Sequence, residues 1–196
     1  MHIKSFLPIL IGLLFAPAAV AAEVQTRTFT FENDRVGAPP PGFEFARTGN
    51  GPEGKWTVAT ERGNEKNHLL LQSSADKTDY RFPVAILKNE SLRDVTLSVR
   101  ARPLAGEVDQ GFGLVWRCTI YHTIKGSRRA FQNHPVKVAT NVWHTLKMEA
   151  RGNHFIVWLD GEKVLDAQDD TFQSGRVGLW TKADSVIEFD DFTVAP

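Results

Sequence analysis

The fold of this chain is decided by residues Trp143–Val194, which read WHTLKMEARGNHFIVWLDGEKVLDAQDDTFQSGRVGLWTKADSVIEFDDFTV. Apolar residues such as Leu146, Met148 and Ala150 alternate there with polar ones. A two-residue period of this kind is typical of a β-strand with one buried face. The pattern predicts short strands at Trp143–Ala150, Phe155–Leu159, Arg176–Thr181 and Val186–Val194.

Tight turns join these predicted strands. Asp160-Gly161 separates two apolar-alternating runs, which is the strongest short-range signal for a β-hairpin, and Arg151-Gly152-Asn153 forms a second turn. Consecutive antiparallel hairpins build sandwiches and jelly rolls.

The N-terminal half supports the same class of fold. Its Pro- and Gly-rich stretch Val36–Gly54 is predicted to be a loop, and no segment of helical length carries a 3.6-residue apolar stripe. The remaining runs predict strands at Arg27–Asn33, Lys55–Thr60, His68–Ser73, Arg81–Leu87, Val95–Arg102 and Gly111–Arg117. We therefore predict an all-β, antiparallel two-sheet sandwich.

Residues 1–22 are predicted to lie outside this fold. His2 and Lys4 precede the apolar run Phe6–Phe15, and Ala19–Ala22 offers small residues for cleavage. The run is shorter than the ~20 apolar residues that span a bilayer, so a secretory signal peptide is favoured. The mature chain is then one domain, residues 23–196, exported to the periplasm or the medium.

Composition limits the partners. The chain has 23 basic and 23 acidic residues, so its charge gives no argument for binding nucleic acid or an anionic membrane. Cys118 is the single cysteine, which excludes an intrachain disulfide, and we predict a buried thiol there. The oligomeric state is not predictable from these features.

Several motifs together resemble a known family. They are W-H-T-L at Trp143, V-W-L-D-G-E-K-V from Val157, G-R-V-G-L-W-T from Gly175, F-D-D-F from Phe189, and GFGLVWR at Gly111–Arg117. The chain is similar to concanavalin A-like jelly-roll domains, and most of all to secreted bacterial 3-keto-disaccharide hydrolase-like domains, which are also described as family 16 glycoside hydrolase-like or laminin G-like. The resemblance implies a jelly roll that binds a carbohydrate or cleaves a glycoside.

The chain departs from that family at Cys118–Pro135, which reads CTIYHTIKGSRRAFQNHP. Such domains usually have a long hairpin here that carries part of the concave sheet. The poor alternation predicts either a truncated or replaced hairpin or a divergent complete one.

The tryptophans are the leading candidates for ligand contact, since an exposed indole can stack on the apolar face of a sugar. Strand parity places Trp158 opposite Phe155 and Val157. We therefore predict that Trp158 and Trp180 lie on the open face, and that Trp116 and Trp143 lie in the core.

Charged residues opposite the apolar positions are the candidate polar partners. Arg100, Arg117 and Glu149 are predicted to converge on the concave face, where guanidinium groups could bind sugar hydroxyls. For an enzyme, the predicted catalytic acid or base is Glu149 or Asp190, with Arg117 as an electrostatic clamp. The alternative is a solvated sheet face with cross-strand ion pairs.

Other acidic motifs carry weaker signals. Glu107-Val108-Asp109 resembles half of a family 16 glycanase signature but lacks its third carboxylate, so a loop is predicted. Calcium is conceivable at Asp169-Asp170 or Asp190-Asp191, although neither pair has the spacing of a calcium loop. No cofactor is therefore predicted.

Three functions remain open from the sequence. The preferred one is a carbohydrate-binding module that uses Arg100, Arg117, Glu149, Trp158 and Trp180. The second is a hydrolase or lyase acting on 3-keto-glycosides. The third is a structural or adhesive domain without a small ligand.

Overall fold

The computed structural model describes residues 25–118 and 136–196, and within these ranges it contains β-strands and no helix. In chain order the strands are β1 (Arg27–Phe29), β2 (Phe43–Gly49), β3 (Trp56–Glu61), β4 (Asn64–Gln72), β5 (Arg81–Leu87), β6 (Val95–Ala105), β7 (Gly111–Cys118), β8 (His144–Arg151), β9 (His154–Leu159), β10 (Glu162–Gln168), β11 (Arg176–Lys182) and β12 (Val186–Ala195).

The strands form two antiparallel sheets. The larger has eight strands in the order β10-β9-β8-β6-β12-β4-β3, with β1 also pairing with β12, and the smaller has the order β2-β5-β11-β7. The predicted all-β two-sheet sandwich is confirmed.

The core lies between the sheets because alternate side chains of each strand point inward. Along β6, Val95, Leu97, Val99 and Ala101 are at most 1% exposed, whereas the residues between them are only partly buried. The larger sheet has a second face, which points away from this core and carries the alternate residues of each strand, such as Arg100 and Arg102 on β6. We call it the outer face.

Two strands were not predicted. β2 falls inside the predicted loop Val36–Gly54, because its Phe-Glu-Phe alternation is short and flanked by prolines and glycines. β10 was missed because a β-bulge between Lys163 and Leu165 breaks its two-residue period.

Some predictions concern parts of the chain outside the described residues. These are the signal peptide at residues 1–22, the Cys118 side chain and the hairpin within Cys118–Pro135. In the described ranges, no helix has the length and apolarity needed to cross a membrane.

Candidate functional site

Three neighbouring strands of the larger sheet bring charged residues together on the outer face. Arg100 on β6 lies opposite Thr145 on β8 and opposite Asp190 on β12. Two residues further along β6, Arg102 lies opposite Glu188 on β12. Because i and i+2 share a face in a strand, both arginines and both acids point away from the core.

Ion pairs and hydrogen bonds connect these residues with their neighbours into what we call the outer-face cluster. Its members are Glu61, Asn67, Arg100, Arg102, Trp143, Glu188, Asp190 and Asp191.

Arg102 forms the base of the outer-face cluster. Its Nε donates to Glu188 Oε2 at 2.6 Å, and its Nη1 lies 3.1 Å from Glu61 Oε1. Glu61 is on β3, so this second contact spans the two intervening strands β12 and β4. That distance is about 14 Å in a flat sheet, so the two side chains lean toward each other over the face.

Trp143 covers this ion pair. The guanidinium carbons of Arg100 and Arg102 each lie 4.6 Å from its ring centroid, within the range of a cation–π contact. The indole Nε1 donates to Glu61 Oε1 at 3.0 Å, so the ring is fixed in position. The prediction that Trp143 belongs to the core is therefore wrong, since it lies half-buried on the outer face.

Asp190 is the most buried acid of the cluster. It is 2% exposed, its Oδ2 accepts from Asn67 Nδ2 at 3.0 Å, and its Oδ1 accepts from the Asp191 amide at 2.8 Å. Burial raises the pKa of the Asp190 carboxyl, against the lowering effect of these hydrogen bonds and of Arg100, whose Nη1 is 3.8 Å away. A carboxyl of this kind can hold a proton more readily than a solvated one.

A β-bulge brings a second carboxylate to the same place. Between Asp190 and Thr193 the register of β12 against β6 shifts, and Asp191 adopts a φ of 51°. Asp191 therefore shares the outer face with Asp190, and Arg100 donates to Asp191 Oδ2 at 3.1 Å. Bulges and left-handed non-glycine residues are concentrated at functional sites.

The cluster is graded in depth. Glu188 and Asp190 have side chains 8% and 3% exposed, whereas Arg100 and Asp191 are 40% and 44% exposed. A ligand on this face would therefore meet Arg100 and Asp191 first, with Asp190 beneath them.

Trp158 extends the face toward the sheet edge. It lies opposite Lys147 on β8 and Lys163 on β10, with Lys147 Nζ 5.0 Å from its ring centroid. Its predicted position on the open face of its strand is confirmed. Trp158 lies opposite Lys147, and Lys147 follows Trp143 by four residues, so the backbone positions of the two tryptophans are about 14 Å apart on this face.

The predicted convergence of Arg100, Arg117 and Glu149 is wrong. Glu149 does lie on the outer face, but it faces Thr96, about 14 Å along the strands from Arg100, and it pairs with Lys147 at 2.6 Å. Its proposed catalytic role therefore has no partner among the cluster residues.

Arg117 belongs to the other sheet. It lies on β7 in a left-handed conformation with a φ of 50°, and it is 5% exposed. Its guanidinium donates to the backbone carbonyls of Arg93, Gly152 and Phe172. Arg117 is thus far from Asp190 and serves the loops at one end of the sandwich.

Trp180 is also on the smaller sheet, so it does not share a face with Trp158. It lies on β11 over Gly113, where an added Cβ would come within 2.4 Å of the indole nitrogen, and it packs edge-on against Phe82 at 6.1 Å. Trp116 packs against Phe155 at 4.9 Å beside the core, as its parity predicts.

The weaker acidic motifs have structural partners. Asp109 pairs with Lys182, and Glu107 pairs with Lys77 at 2.6 Å in the loop before β7. Asp169 Oδ1 accepts from the Thr171 amide at 3.0 Å, which closes a turn. Among the described residues, no group of three or more His, Cys, Asp or Glu side chains is arranged to hold a metal ion.

Sequence reasoning missed Glu61, Asn67, Arg102, Trp143 and Glu188. A signal existed for Trp143, because it has the same parity as Thr145 and Lys147, which point outward from β8. Glu61 and Asn67 reach the cluster only through the pairing of distant strands, which parity does not reveal.

One family model matches the chain. Residues 105–195 match the 3-keto-alpha-glucoside-1,2-lyase-like domain, and this range contains β7 to β12, with Trp143, Glu188 and Asp190. No curated protein matches the sequence.

Solved structures share the fold at low sequence identity. The carbohydrate-binding module CBM66 from Bacillus subtilis is 20% identical with a TM-score of 0.56, and the match covers 78% of this chain and 95% of that one. The cellulose-induced protein Cip1 is 10% identical with a TM-score of 0.58, covering 86% and 96%. A glycosyl hydrolase-like protein from Parabacteroides distasonis is 8% identical with a TM-score of 0.52, covering 85% and 92%. These similarities establish the jelly-roll sandwich.

Proposed function

We propose that this chain is a carbohydrate-binding β-sandwich domain whose ligand lies on the outer face between Trp143 and Trp158. The observation that carries the proposal is that two tryptophans share one face, at backbone positions about 14 Å apart, a length within the reach of a short oligosaccharide. Between them Arg100 and Asp191 reach the solvent with a donor and an acceptor for sugar hydroxyls. The fold shared with a carbohydrate-binding module supports the same function.

The cations on the outer face are already paired with carboxylates, and this arrangement favours a ligand rich in hydroxyl groups. Arg100 and Lys147 each have a carboxylate partner within 3.1 Å, Asp191 and Glu149 respectively. A hydroxyl can accept from the cation and donate to the acid without separating the pair, whereas a charged group must displace one partner.

A glycan array followed by titration calorimetry tests the proposal. Trp158→Ala should weaken binding of the best glycan by about tenfold or more, because the stacked surface is lost. The matched control is Trp180→Phe, which alters an indole on the opposite sheet and should leave the affinity unchanged. Unchanged binding in Trp158→Ala, or a loss confined to Trp180→Phe, would refute the assignment to the outer face.

A second candidate is a lyase or hydrolase acting on 3-keto-glycosides. It is favoured by the match of residues 105–195 and by the raised pKa of Asp190 beside Arg100. In this role Asp190 would transfer a proton to or from the substrate, and Arg100 would stabilise negative charge developing on the adjacent oxygen.

Turnover separates the two candidates. Incubation with a 3-keto-glucoside should release the aglycone or the second sugar if the domain is an enzyme. Asp190→Asn should then abolish release while leaving binding measurable, and Glu107→Gln should be the inert control because Glu107 pairs with Lys77 in the loop before β7, away from the outer face. Binding without release supports the module, and neither binding nor release supports a structural or adhesive domain.

Export is part of the proposal, because the predicted signal peptide would deliver the domain to extracellular or periplasmic glycans. N-terminal sequencing of the exported protein should find a start near Ala22 or Glu23. An intact Met1 on the exported form would contradict it.

A further inference from the structure

A second place on the molecule combines a cavity with uncommitted polar side chains. It lies where the β5–β6, β8–β9 and β10–β11 connections meet at one end of the sandwich, and its volume is about 140 Å³. We call it the loop-end cavity, and its principal lining residues are Arg93, Arg117, Asn153, Asp170, Phe172 and Gln173.

Arg117 gives the loop-end cavity a fixed wall. Its guanidinium donates to one carbonyl from each of the three connections, those of Arg93, Gly152 and Phe172, and stacks 4.1 Å from the Trp116 ring. The side chain is buried, and within the described residues its Nε has no hydrogen-bond partner. The three connections are therefore held together around one buried cation, which preorganises the cavity.

Of the other polar side chains that line the cavity, Asp169 accepts from the Thr171 amide, and the remaining four have no partner among the described residues. In the part of the chain that the structure describes, no hydrogen bond or ion pair engages the side chains of Arg93, Asn153, Asp170 or Gln173. The outer-face cluster differs, since its acids and arginines are already paired. Polar groups that converge on a cavity without internal partners are available to a ligand.

The chemistry of this lining fits a polyol. Arg93 only donates, Asp170 only accepts, and the amides of Asn153 and Gln173 do both, which matches the dual character of sugar hydroxyls. Charges of both signs argue against a simple anion or cation. Phe172 adds an aromatic residue to the lining that can contact an apolar sugar face.

The size of the cavity sets the length of the ligand. At about 30 Å³ per water, 140 Å³ corresponds to roughly five water molecules, far below a pocket for a drug-sized ligand. A single sugar ring, partly inserted, is the largest unit that such a space accepts.

We propose that the loop-end cavity binds one terminal ring of a glycan, end-on and separately from the outer face. The proposal goes beyond the proposed function, because it adds a second site that needs neither Trp143 nor Trp158. A molecule with both sites would hold a chain end and a chain segment on different surfaces.

The test uses the mature chain and simple sugars as probes. Glucose, fructose, galactose and methyl α-glucoside are titrated separately while backbone amide resonances are followed by NMR. At least one sugar should shift the Asn153 and Gln173 amides, and the double variant Asn153→Ala/Gln173→Ala should weaken that binding by about tenfold. Asp170→Asn, a conservative change at an exposed acid, should weaken it less.

Two controls keep the outcomes separate. Trp158→Ala should leave the loop-end shifts unchanged, so failure of the outer-face site does not affect this result. Thermal melting of the double variant should show an unchanged midpoint, because both side chains lie in loops. The proposal is overturned if no sugar shifts these amides, if the double variant binds like the wild type, or if inorganic phosphate alone shifts them.

Discussion

Arg81 should be the costliest charged residue to remove from this protein. It is completely buried, and its guanidinium donates to the carbonyls of Pro52, Glu53 and Ala183 at 2.6–3.0 Å and to Ser74 Oγ at 2.8 Å. No carboxylate pairs with it among the described residues. The side chain thus joins three connections at the end of the sandwich near β5 and β12.

The expected loss of stability on removing Arg81 follows from the number of buried acceptors that lose their donor. Arg81→Met keeps an unbranched apolar stem but removes the guanidinium and every donor, and each buried acceptor left unsatisfied costs about 1–3 kcal/mol. Some of the carbonyls can regain water, and the cost of burying the guanidinium is removed. We therefore expect a loss of about 3 kcal/mol in the free energy of unfolding, or roughly 6–12 °C in Tm for a domain of this size.

Arg117→Met provides the internal comparison. Arg117 also donates to three loop carbonyls, but it borders the loop-end cavity, where water can replace the lost donors. We expect about half the effect of Arg81→Met. Urea unfolding followed by tryptophan fluorescence measures both, with Arg62→Met at an exposed turn as the control that should change stability by less than about 0.5 kcal/mol. A loss below about 1 kcal/mol in Arg81→Met, or a larger loss in Arg117→Met, would refute the reasoning.

Further predictions concern Asp190 and two glycines. The pKa of the Asp190 carboxyl is raised in the folded state, so protonation of this group favours folding at low pH, and that stabilisation is lost as pH rises through the folded pKa. The difference in unfolding free energy between wild type and Asp190→Asn should therefore change with pH across this acidic range and be constant at higher pH. A pH-independent difference would contradict the raised pKa. Gly178→Ala should destabilise by about 3 kcal/mol or prevent folding, because its Cβ would come within 2.1 Å of the Ala85 carbonyl oxygen. Gly63→Ala has open space but a φ of 86°, so only the backbone strain of about 1–2 kcal/mol is expected; equal Tm losses in the two variants would show that the close approach at Gly178 is relaxed elsewhere.

Alternation predicted the faces of strands well and the partners of strands poorly. β6 has one buried and one solvated face, so its sequence shows the period clearly and its inward and outward residues were assigned correctly. β2 and β10 were missed because flanking prolines and glycines in one case, and a bulge in the other, hide the same period.

The two-residue alternation of a strand does not show to which of the two sheets the strand belongs. Trp158 and Trp180 both point away from the core, yet they lie on opposite sides of the sandwich, because outward positions look alike in either sheet. Arg117 shows a second limit, since its positive φ and the shifted register of β7 against β11 direct its guanidinium into the loops. The outer-face cluster depends on β12 lying between β6 and β4, a long-range pairing that a single sequence does not specify.

The two buried arginines have a consequence for the environment in which the sandwich can persist. Arg81 and Arg117 each connect the loops at one end of the sandwich by donating to backbone carbonyl oxygens. Neither a carbonyl nor a guanidinium group changes its charge over the ordinary range of pH. Dissolved ions also screen such sheltered contacts far less than they screen exposed ion pairs. The loops at the ends of this sandwich should therefore stay in place at low pH and at high salt concentration, whereas the exposed ion pairs on the outer face should weaken.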